Sequence, residues 1–385
     1  MAVTLKTTTR RNKILELIES IVGDCMHSKR ILSLSNAVEG IMYASSLALS
    51  AIGKALAVAE GLNAKHAVKQ LDRFFSNKKI HLDIFFSAWI KFLIGSRQEI
   101  VVALDWTDYD RDDQSTLALN MITSHGRATP LLWKTYIKSE MNGKRNYCED
   151  VMLFFLQSCL PTGCRVTVLA DRGFGDTDLL LYLKKLGFDY VIRIKSNITM
   201  TVGAVTKKTC EWLSPSGHAR MYKNVLLTQN ECHVPAVVIV RAKKMSAPWI
   251  LATSLSTSIS NKVVNLYGRR FTIEECFRDV KDIKFGMGLS CVSVRKPERR
   301  DRILIASAIA ASLLTILGAA GEALGFDRLL KANTVKTRTH SLLTQGSFYF
   351  QAMINYKDEK LILLINKFTE LLSQQRVFQD LFCWV

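Results

Sequence analysis

The chain has few of the features that mark secreted, fibrous or disordered proteins. It contains 6 prolines in 385 residues, no low-complexity linker, and 9 cysteines without a single Cys-x-x-Cys pair. This composition excludes a collagenous or disordered chain. The unpaired spacing predicts reduced thiols instead of a disulfide framework or a zinc site. Acidic residues interrupt the apolar stretch after the basic first residues, so we expect no export signal and predict a cytoplasmic protein.

Acidic residues are also scarce relative to basic ones. There are 34 Asp and Glu against 52 Lys and Arg, which gives a formal net charge of +18. A folded surface with such an excess attracts polyanions, because bound Lys and Arg release the counterions condensed on phosphate. The charge favours a nucleic-acid partner, and a basic enzyme without one is the alternative.

Long apolar runs are limited to one stretch. Residues 303–320, ILIASAIAASLLTILGAA, carry no charge. The stretch is barely long enough to cross a membrane, and it is rich in Ala, Ser and Gly, which allow close packing. We therefore predict a buried helix and no membrane association. A membrane protein is the least favoured alternative.

Changes in the apolar period predict the order of the elements. Helical spacing up to residue 95 gives way to short β-branched runs, which read β-β-β-α-β-α-β, and then to further strands before helical spacing returns. The sequence predicts an α/β fold with a mixed sheet, an all-β insertion, one long helix from about Lys262 to Lys281, and helical ends. The predicted boundaries are 1–95 (helical), 96–198 with 260–300 (α/β core), 199–259 (β insertion) and 301–385 (helical).

Two aspartates follow apolar strand runs. Asp105 comes after IVVAL and Asp171 after VTVLA. Carboxylates there would be held on rigid elements where metal and substrate can reach them, although Asp is also common as a turn or cap residue. Strand parity places Asp105 on one face with Val101, Ala103 and Thr107. Spacing alone does not choose between Asp105 and the acids that follow it, Asp108, Asp110, Asp112 and Asp113.

A third feature lies in LYGRRFTIEECFRDVKD. Tyr267, Arg270, Glu274 and Lys281 follow the pattern Y-x2-R-x3-E-x6-K. On one continuous helix they would share a face beside an apolar stripe, with Glu274 held at the border of the core. A solvated helix face with intrahelical ion pairs is the alternative.

These residues resemble the DDE transposases of bacterial cut-and-paste insertion sequences, most closely the insertion-sequence-four family. The resemblance covers most of the chain, in the stretches AKHAVKQLDRFFSNKKIH, VVALDWTD, TSHGRATPLLWK, VLADRGF, APWILATSL, IEECFRDVK and DRLLKANTVKTRT. It implies a ribonuclease-H-like catalytic core. It also implies that Asp105, Asp171 and Glu274 are catalytic and bind two Mg2+ ions, with Mn2+ as a substitute. Hard oxygen ligands are what such ions require.

The resemblance further assigns DNA contacts and partners. Trp249 would receive a base flipped from a hairpin intermediate, and Tyr267, Arg270 and Lys281 would contact nearby phosphates. Without the resemblance, Trp249 reads as a residue of the sheet core. Partners would be double-stranded DNA, at the terminal inverted repeats and at the target, and a second copy of the chain in a homodimer. The residue range 262–302 is expected to face DNA, and the first 95 residues to recognise transposon ends.

Two further functions stay open on the sequence alone. One is a structure-specific nuclease of the same fold, which would not need a hairpin site such as Trp249. The other is a catalytically silent DNA-binding remnant, which the presence of all three acids disfavours.

Overall fold

The computed structural model describes residues 13–243, 245–256 and 259–373. The first twelve residues of the predicted helical region 1–95 and the last twelve of 301–385 lie outside these residues. The described residues before 95 are mostly helical, as the periodicity of residues 12–95 predicted. The helices are α1 (residues 13–22), α2 (Ser28–Ala44), α3 (Leu49–Glu60), α4 (Ala64–Phe75) and α5 (Leu82–Ile94).

Helix α4 illustrates why this region is helical. The side chain of Asn63 caps its first turn by accepting hydrogen bonds from the backbone N–H groups of Lys65 and His66. Its buried residues recur at helical spacing and face α2 and α3. The opposite face of α4 is polar and basic.

A single ten-stranded mixed sheet forms the centre of the protein. The strands are β1 (Glu99–Tyr109), β2 (Gln114–Met121), β3 (Thr129–Ile137), β4 (Arg165–Ala170), β5 (Asp189–Arg193), β6 (Thr199–Val202), β7 (Val205–Lys208), β8 (Arg220–Leu227), β9 (Cys232–Val240) and β10 (Trp249–Thr253). Their spatial order is β3-β2-β1-β4-β5-β10-β9-β8-β6-β7. Strands β1, β4 and β5 are parallel and the other pairs are antiparallel. The mixed α/β architecture is consistent with a ribonuclease-H-like fold.

The strands between residues 199 and 253 extend this same sheet. Strand β10 pairs antiparallel with β5, and β9, β8, β6 and β7 follow outward. The segment also contains a 3₁₀ turn at Thr209–Trp212. It is therefore attached to the α/β core by backbone hydrogen bonds and is not a separate sheet. Its description as an insertion stays a prediction.

Helices cover both faces of the sheet. Helices α6 (Arg145–Cys159) and α7 (Thr177–Leu186) pack on one face, and α8 (Ser260–Gly268) and α9 (Thr272–Lys281) on the other. The prediction of one continuous helix from Lys262 to Lys281 is wrong, because a 3₁₀ turn at Arg269–Phe271 separates α8 from α9. The hydroxyl of Thr272, the first residue of α9, donates to the Arg269 carbonyl in this turn, and such side-chain bonds can bend a helix.

The carboxy-terminal part of the described chain is built on one long helix. This part of the chain comprises helices α10 (Pro297–Ala323), α11 (Leu342–Ala352) and α12 (Asp358–Ser373), of which α10 is the long one. Helix α10 is long and apolar enough to cross a membrane, but 83% of its apolar window is buried within the protein. Among the described residues the only other candidate is the pair α2 and α3, bent by 94°. The predicted buried helix over 303–320 is confirmed.

Candidate active site

The register of the sheet brings the two predicted aspartates side by side. Leu104 of β1 pairs with Ala170 of β4 in the parallel ladder, so Asp105 and Asp171 occupy the next position on each strand. Neighbouring strands lie about 4.8 Å apart. Both aspartates share the sheet face of Ala103 and Leu169, the face on which α8 and α9 pack.

The two aspartates have different backbone settings. Strand β1 continues to Tyr109, and Asp105 pairs with Ala118 of β2. Asp105 thus lies within β1, after its apolar run, and only the parallel pairing with β4 ends just before it. Asp171 does follow its strand, and its side chain accepts a hydrogen bond from the backbone N–H of Gly173 (2.6 Å), which caps a short 3₁₀ turn. Asp171 therefore also has the cap role that sequence reasoning allowed.

Helix α9 supplies the third acid, and an arginine joins it to the first. The Arg270 guanidinium lies 2.8 Å from Glu274 Oε1 and 3.6 Å from Asp105 Oδ2. Arg270 is 5% exposed, whereas the Glu274 side chain is 52% exposed. The expectation that Glu274 is held at the border of the core is wrong, because it sits on the open side of α9. Tyr267, which is 1% exposed, and Arg270 are the buried members of the motif.

The electrostatics of Asp105 report the proximity of the three acids. Burial raises the pKa of Asp105 to about 7, the Asp171 and Glu274 carboxylates add to the rise, and the Arg270 cation opposes it. Mutual repulsion of this kind is expected where carboxylates converge on a site meant for cations. The geometry thus concentrates negative charge at one end of the sheet.

The chemistry of these side chains fits a hard divalent cation, since carboxylate oxygens are the ligands that Mg2+ and Mn2+ accept. Across residues 13–243, 245–256 and 259–373, no group of three or more His, Cys, Asp and Glu side chains has the spacing of a metal site. The Arg270 cation contacts two of the three acids. The three carboxylates are therefore suitable metal ligands, but two of them contact the Arg270 guanidinium.

Aromatic rings border the same site. Trp249, at the start of β10, is half-buried and lies 4.9 Å from the Tyr267 ring and 5.9 Å from the Phe271 ring, measured between centroids. The Arg270 guanidinium lies 4.6 Å from the Phe271 ring and 5.8 Å from the Tyr267 ring. The aromatic cluster and the acids are therefore linked through Arg270.

Lys281, the last residue of the motif, reaches the same strand further along. Its ammonium group donates to the Thr107 hydroxyl (3.0 Å) and to the Asp108 carbonyl (2.7 Å). Burial lowers the pKa of Lys281 below its usual value. The four motif residues thus contact different parts of the site and do not form the single line predicted for one helix.

The aspartates that follow Asp105 have structural partners. Asp108 and Asp110 form ion pairs with Lys138, at 2.7 Å for Asp108, and Asp113 accepts from Ser139. Asp112 pairs with the buried Arg300 of α10. These contacts fasten the β1–β2 turn to its surroundings. Of the acids left open by spacing, Asp105 alone lies beside Asp171.

Sequence reasoning missed two residues of this site. Ile192 of β5 pairs with Ala170, so Arg193 occupies the position beside Asp171, and its guanidinium donates to the Pro248 carbonyl (3.1 Å). Its charge lowers the pKa of Tyr267, which burial raises. The predicted β-α-β order indicates that β4 and β5 are neighbours, so sequence reasoning could have found Arg193. Phe271, whose ring is exposed beside Arg270, had no such signal.

The basic stretch 262–302 is only partly at the surface. Arg300 is fully buried, pairs with Asp112, and lies 3.7 Å from the Tyr109 ring centroid. Arg302 is buried and donates to the Phe75 carbonyl. The expectation that this whole run faces DNA is therefore wrong, because two of its cations anchor α10. Arg295 and Lys296 stay exposed.

Comparison with known proteins is consistent with this geometry. The sequence model of the family described as Transposase DDE domain matches residues 143–313. The matched range contains Asp171, Trp249 and Glu274, while Asp105 precedes it. No curated protein matches the chain. The family match, together with the mixed sheet and its cluster of acids, supports a DDE transposase.

Proposed function

We propose that this protein is a transposase that cuts DNA at the terminal inverted repeats of an insertion sequence and joins the 3′ ends to target DNA. The observation that carries the proposal is the adjacency of Asp105 and Asp171 in the parallel ladder, with Glu274 close enough to raise the pKa of Asp105. Phosphodiester exchange needs clustered oxygen ligands and no protein nucleophile. We also assign the chain to the insertion-sequence-four family.

Asp105, Asp171 and Glu274 would hold two Mg2+ ions, with Mn2+ as a substitute. Such ions would supply activation of the attacking oxygen and stabilisation of the leaving oxygen. The protein's own part is to hold three carboxylates on rigid elements, since β1, β4 and α9 are all fixed by the sheet and its covering helices. Arg193 and Lys281 flank the acids and suit the phosphates on either side of the scissile bond.

A hairpin intermediate is part of the proposed reaction. Closing a DNA end into a hairpin forces a base out of the stack, and an exposed base gains from stacking on an aromatic side chain. Trp249 is suited to this role because it is half-buried beside Tyr267 and Phe271. A base held there would have its phosphate near Arg270.

Recognition of the transposon ends would fall to residues 1–95. In their described part, a groove of about 640 Å³ lies between α2 and α4, and no acidic side chain lines it. Its cationic and imidazole side chains are His27, Lys29, Arg30, His66, Lys69 and Arg73. Such a groove attracts the phosphate backbone, which positions a protein on DNA without reading its sequence.

The remaining assignments complete the proposal. The α/β core would comprise 96–198 and 260–300, the β segment 199–259 would carry the base-binding Trp249, and 301–385 would contribute to a homodimer that holds two ends together. The site of action would be the bacterial nucleoid in the cytoplasm. A protein that stays monomeric on paired end DNA would contradict the dimer.

Cleavage of a linear duplex bearing the element's own terminal repeats tests the proposed function. With Mg2+ we expect nicks followed by hairpinned ends, and with EDTA no product. Glu274→Gln should be inactive, whereas Glu275→Gln, its neighbour on α9, should retain cleavage. With Trp249→Ala the reaction should stop at or before hairpin formation. Trp212 packs against Tyr222 outside the site, so Trp212→Ala should still form hairpins.

Other outcomes would favour the alternatives. Nicking without any hairpin, unaffected by Trp249→Ala, would indicate a structure-specific nuclease. Specific binding of the ends without cleavage in either Mg2+ or Mn2+ would indicate a DNA-binding remnant. Either result would refute the transposase assignment for this chain.

A further inference from the structure

Arg270 occupies an unusual position for a DNA-binding cation. Its guanidinium contacts two of the three carboxylates proposed to bind metal, Glu274 at 2.8 Å and Asp105 at 3.6 Å. Two positive groups do not share the same carboxylate oxygens without repulsion. A divalent ion bound by Asp105 and Glu274 therefore competes with Arg270 for them.

The contacts of Arg270 also show how it can be released. The Glu274 carboxylate is 52% exposed, so water can replace the arginine there at little cost. The Nε group of Arg270 is buried and has no hydrogen-bond partner among the described residues. An unpartnered buried donor is unfavourable, so Arg270 gains from a further hydrogen-bond acceptor.

The aromatic neighbours indicate where such an acceptor would arrive. Arg270 lies against the rings of Tyr267 and Phe271, and both rings lie against Trp249. A nucleotide that stacks on Trp249 brings its phosphate to this side of the cluster. Arg suits phosphate because its planar fork donates two parallel hydrogen bonds.

We infer that Arg270 is an exchangeable counter-ion that couples DNA binding to metal binding. Without DNA it neutralises Asp105 and Glu274 and weakens metal binding at the acids. When a DNA phosphate engages Arg270, both carboxylates become free to bind divalent ions. The metal site is thus completed only on DNA, which limits metal-dependent cleavage to the bound substrate. This inference rests on the proposed function, because it requires the three acids to be the metal ligands.

Linkage makes the coupling measurable from both directions. If DNA raises the affinity for metal by some factor, the metal raises the affinity for DNA by the same factor. Couplings of this kind typically amount to about 5- to 150-fold. We therefore expect end DNA to raise the Mn2+ affinity of the protein by at least about fivefold.

The experiment measures Mn2+ binding by electron paramagnetic resonance at pH 8, with and without a pre-cleaved blunt duplex that cannot be cut at the scissile position. Glu274→Ala with the same duplex gives the Mn2+ bound by DNA alone. Arg270→Met removes the cation while keeping an apolar side chain of similar length. It should bind Mn2+ without DNA about as tightly as the natural protein does with DNA, and DNA should add less than twofold.

Two controls separate this role from a loss of charge or of folding. Lys185→Met removes an exposed cation at the end of α7, on the opposite face of the sheet, and should keep the natural coupling. Arg270→Lys keeps the charge but has a shorter reach and lacks the planar fork of arginine, so it should hold the two carboxylates less well and its Mn2+ affinity without DNA should rise partway. It also serves as the test variant if Arg270→Met fails to fold.

The outcomes distinguish this inference from the proposed function. If Mn2+ binding depends on Glu274 but neither DNA nor Arg270→Met changes its affinity, the exchange is refuted while the metal site stands. If Arg270→Met weakens Mn2+ binding without DNA, Arg270 organises the acids and does not compete with metal, which also refutes it. If the natural protein binds no Mn2+ in either condition beyond the DNA background, the proposed function itself fails.

Discussion

Replacing Arg127 by methionine should loosen the attachment of α9 to the central sheet. Arg127 lies in the loop between β2 and β3, and its guanidinium Nε donates to Asp279 Oδ2 of α9 at 2.8 Å. A second contact of 3.4 Å joins it to Glu275. The backbone N–H of Ala128 also donates to the Thr272 carbonyl at the start of α9. Arg127 therefore helps to position the helix that carries Glu274.

The magnitude follows from the burial of the pair. At 2.8 Å two unit charges attract by about 6 kcal/mol when the effective dielectric constant is 20. The desolvation of both groups offsets part of this attraction. Methionine would leave the Asp279 carboxylate, whose side chain is 10% exposed, without its main cation. Removing one partner of a buried pair costs about 3 to 5 kcal/mol, and we expect about 3 kcal/mol because Arg127 is partly exposed.

Urea unfolding at pH 8 measures this loss, and its pH dependence tests the cause. Burial already raises the pKa of Asp279, and the Arg127 cation lowers it. Without Arg127 the folded-state pKa rises further above the unfolded value, so the folded protein binds more protons. Its stability should then increase as the pH falls, and the deficit of the variant should shrink toward pH 5.

A double variant supplies the control. Arg127→Met with Asp279→Asn removes the unpaired charge and should recover most of the lost stability at pH 8. Cleavage should fall at least about tenfold in the single variant, since small displacements of catalytic groups are costly, and should partly recover in the double variant. The reasoning is refuted if the free energy of unfolding of the single variant lies within about 0.5 kcal/mol of that of the natural protein, which is the range of neutral surface substitutions. It is also refuted if the double variant is no more stable than the single one.

Three further predictions concern stability and DNA binding. Burial raises the pKa of Asp301 to about 7, so the folded protein favours the neutral carboxyl and loses stability as the pH rises from about 4 to 7. Asp301→Asn should remove this pH dependence. In urea unfolding at pH 8 it should raise the free energy of unfolding by up to roughly 4 kcal/mol. A methyl group at Gly346 would lie 1.7 Å from a backbone oxygen of α10, so Gly346→Ala should lower the melting temperature and cost about 3 kcal/mol. Its control is Gly268→Ala, where the added methyl group meets no atom within 4 Å and the melting temperature should not fall. Replacing Lys69 or Arg73 by Ala should reduce the slope of log affinity against log salt by about one for end DNA, and an unchanged slope for both would show that the groove does not contact phosphate.

Some elements of the site were accessible to sequence reasoning because their causes are local. Apolar runs of β-branched residues predict β1 and β4 directly, and an acid placed after or within such a run is fixed in position by the strand. The order β-α-β predicts that β4 and β5 are parallel neighbours. The pairing of Asp105 with Asp171 is nevertheless a matter of register, and register depends on contacts between strands that are more than 60 residues apart in sequence.

Other elements were predicted wrongly for physical reasons that involve distant residues. Helix periodicity cannot show that a 3₁₀ turn at Arg269–Phe271 interrupts the long helix. It also cannot show which side of α9 faces the sheet, so Glu274 was expected at the border of the core, where the structure has it exposed and Arg270 buried. Arg300 was expected to face DNA because charge favours solvent, but Asp112, Gln114 and Tyr109 enclose it.

The sequence by itself determined the α/β class, most of the succession of helices and strands, the excess of positive charge and the short motifs in which the three candidate acids lie, since periodicity, composition and short motifs are local properties of a chain. Only the tertiary structure decided that Asp105, Asp171 and Arg193 lie in one row, and that β10 brings Trp249 to the same end of the sheet. It alone decided that the Arg270 guanidinium holds two of the acids. These arrangements depend on strand register and helix packing, where residues far apart in sequence compete for the same buried space and the same partners.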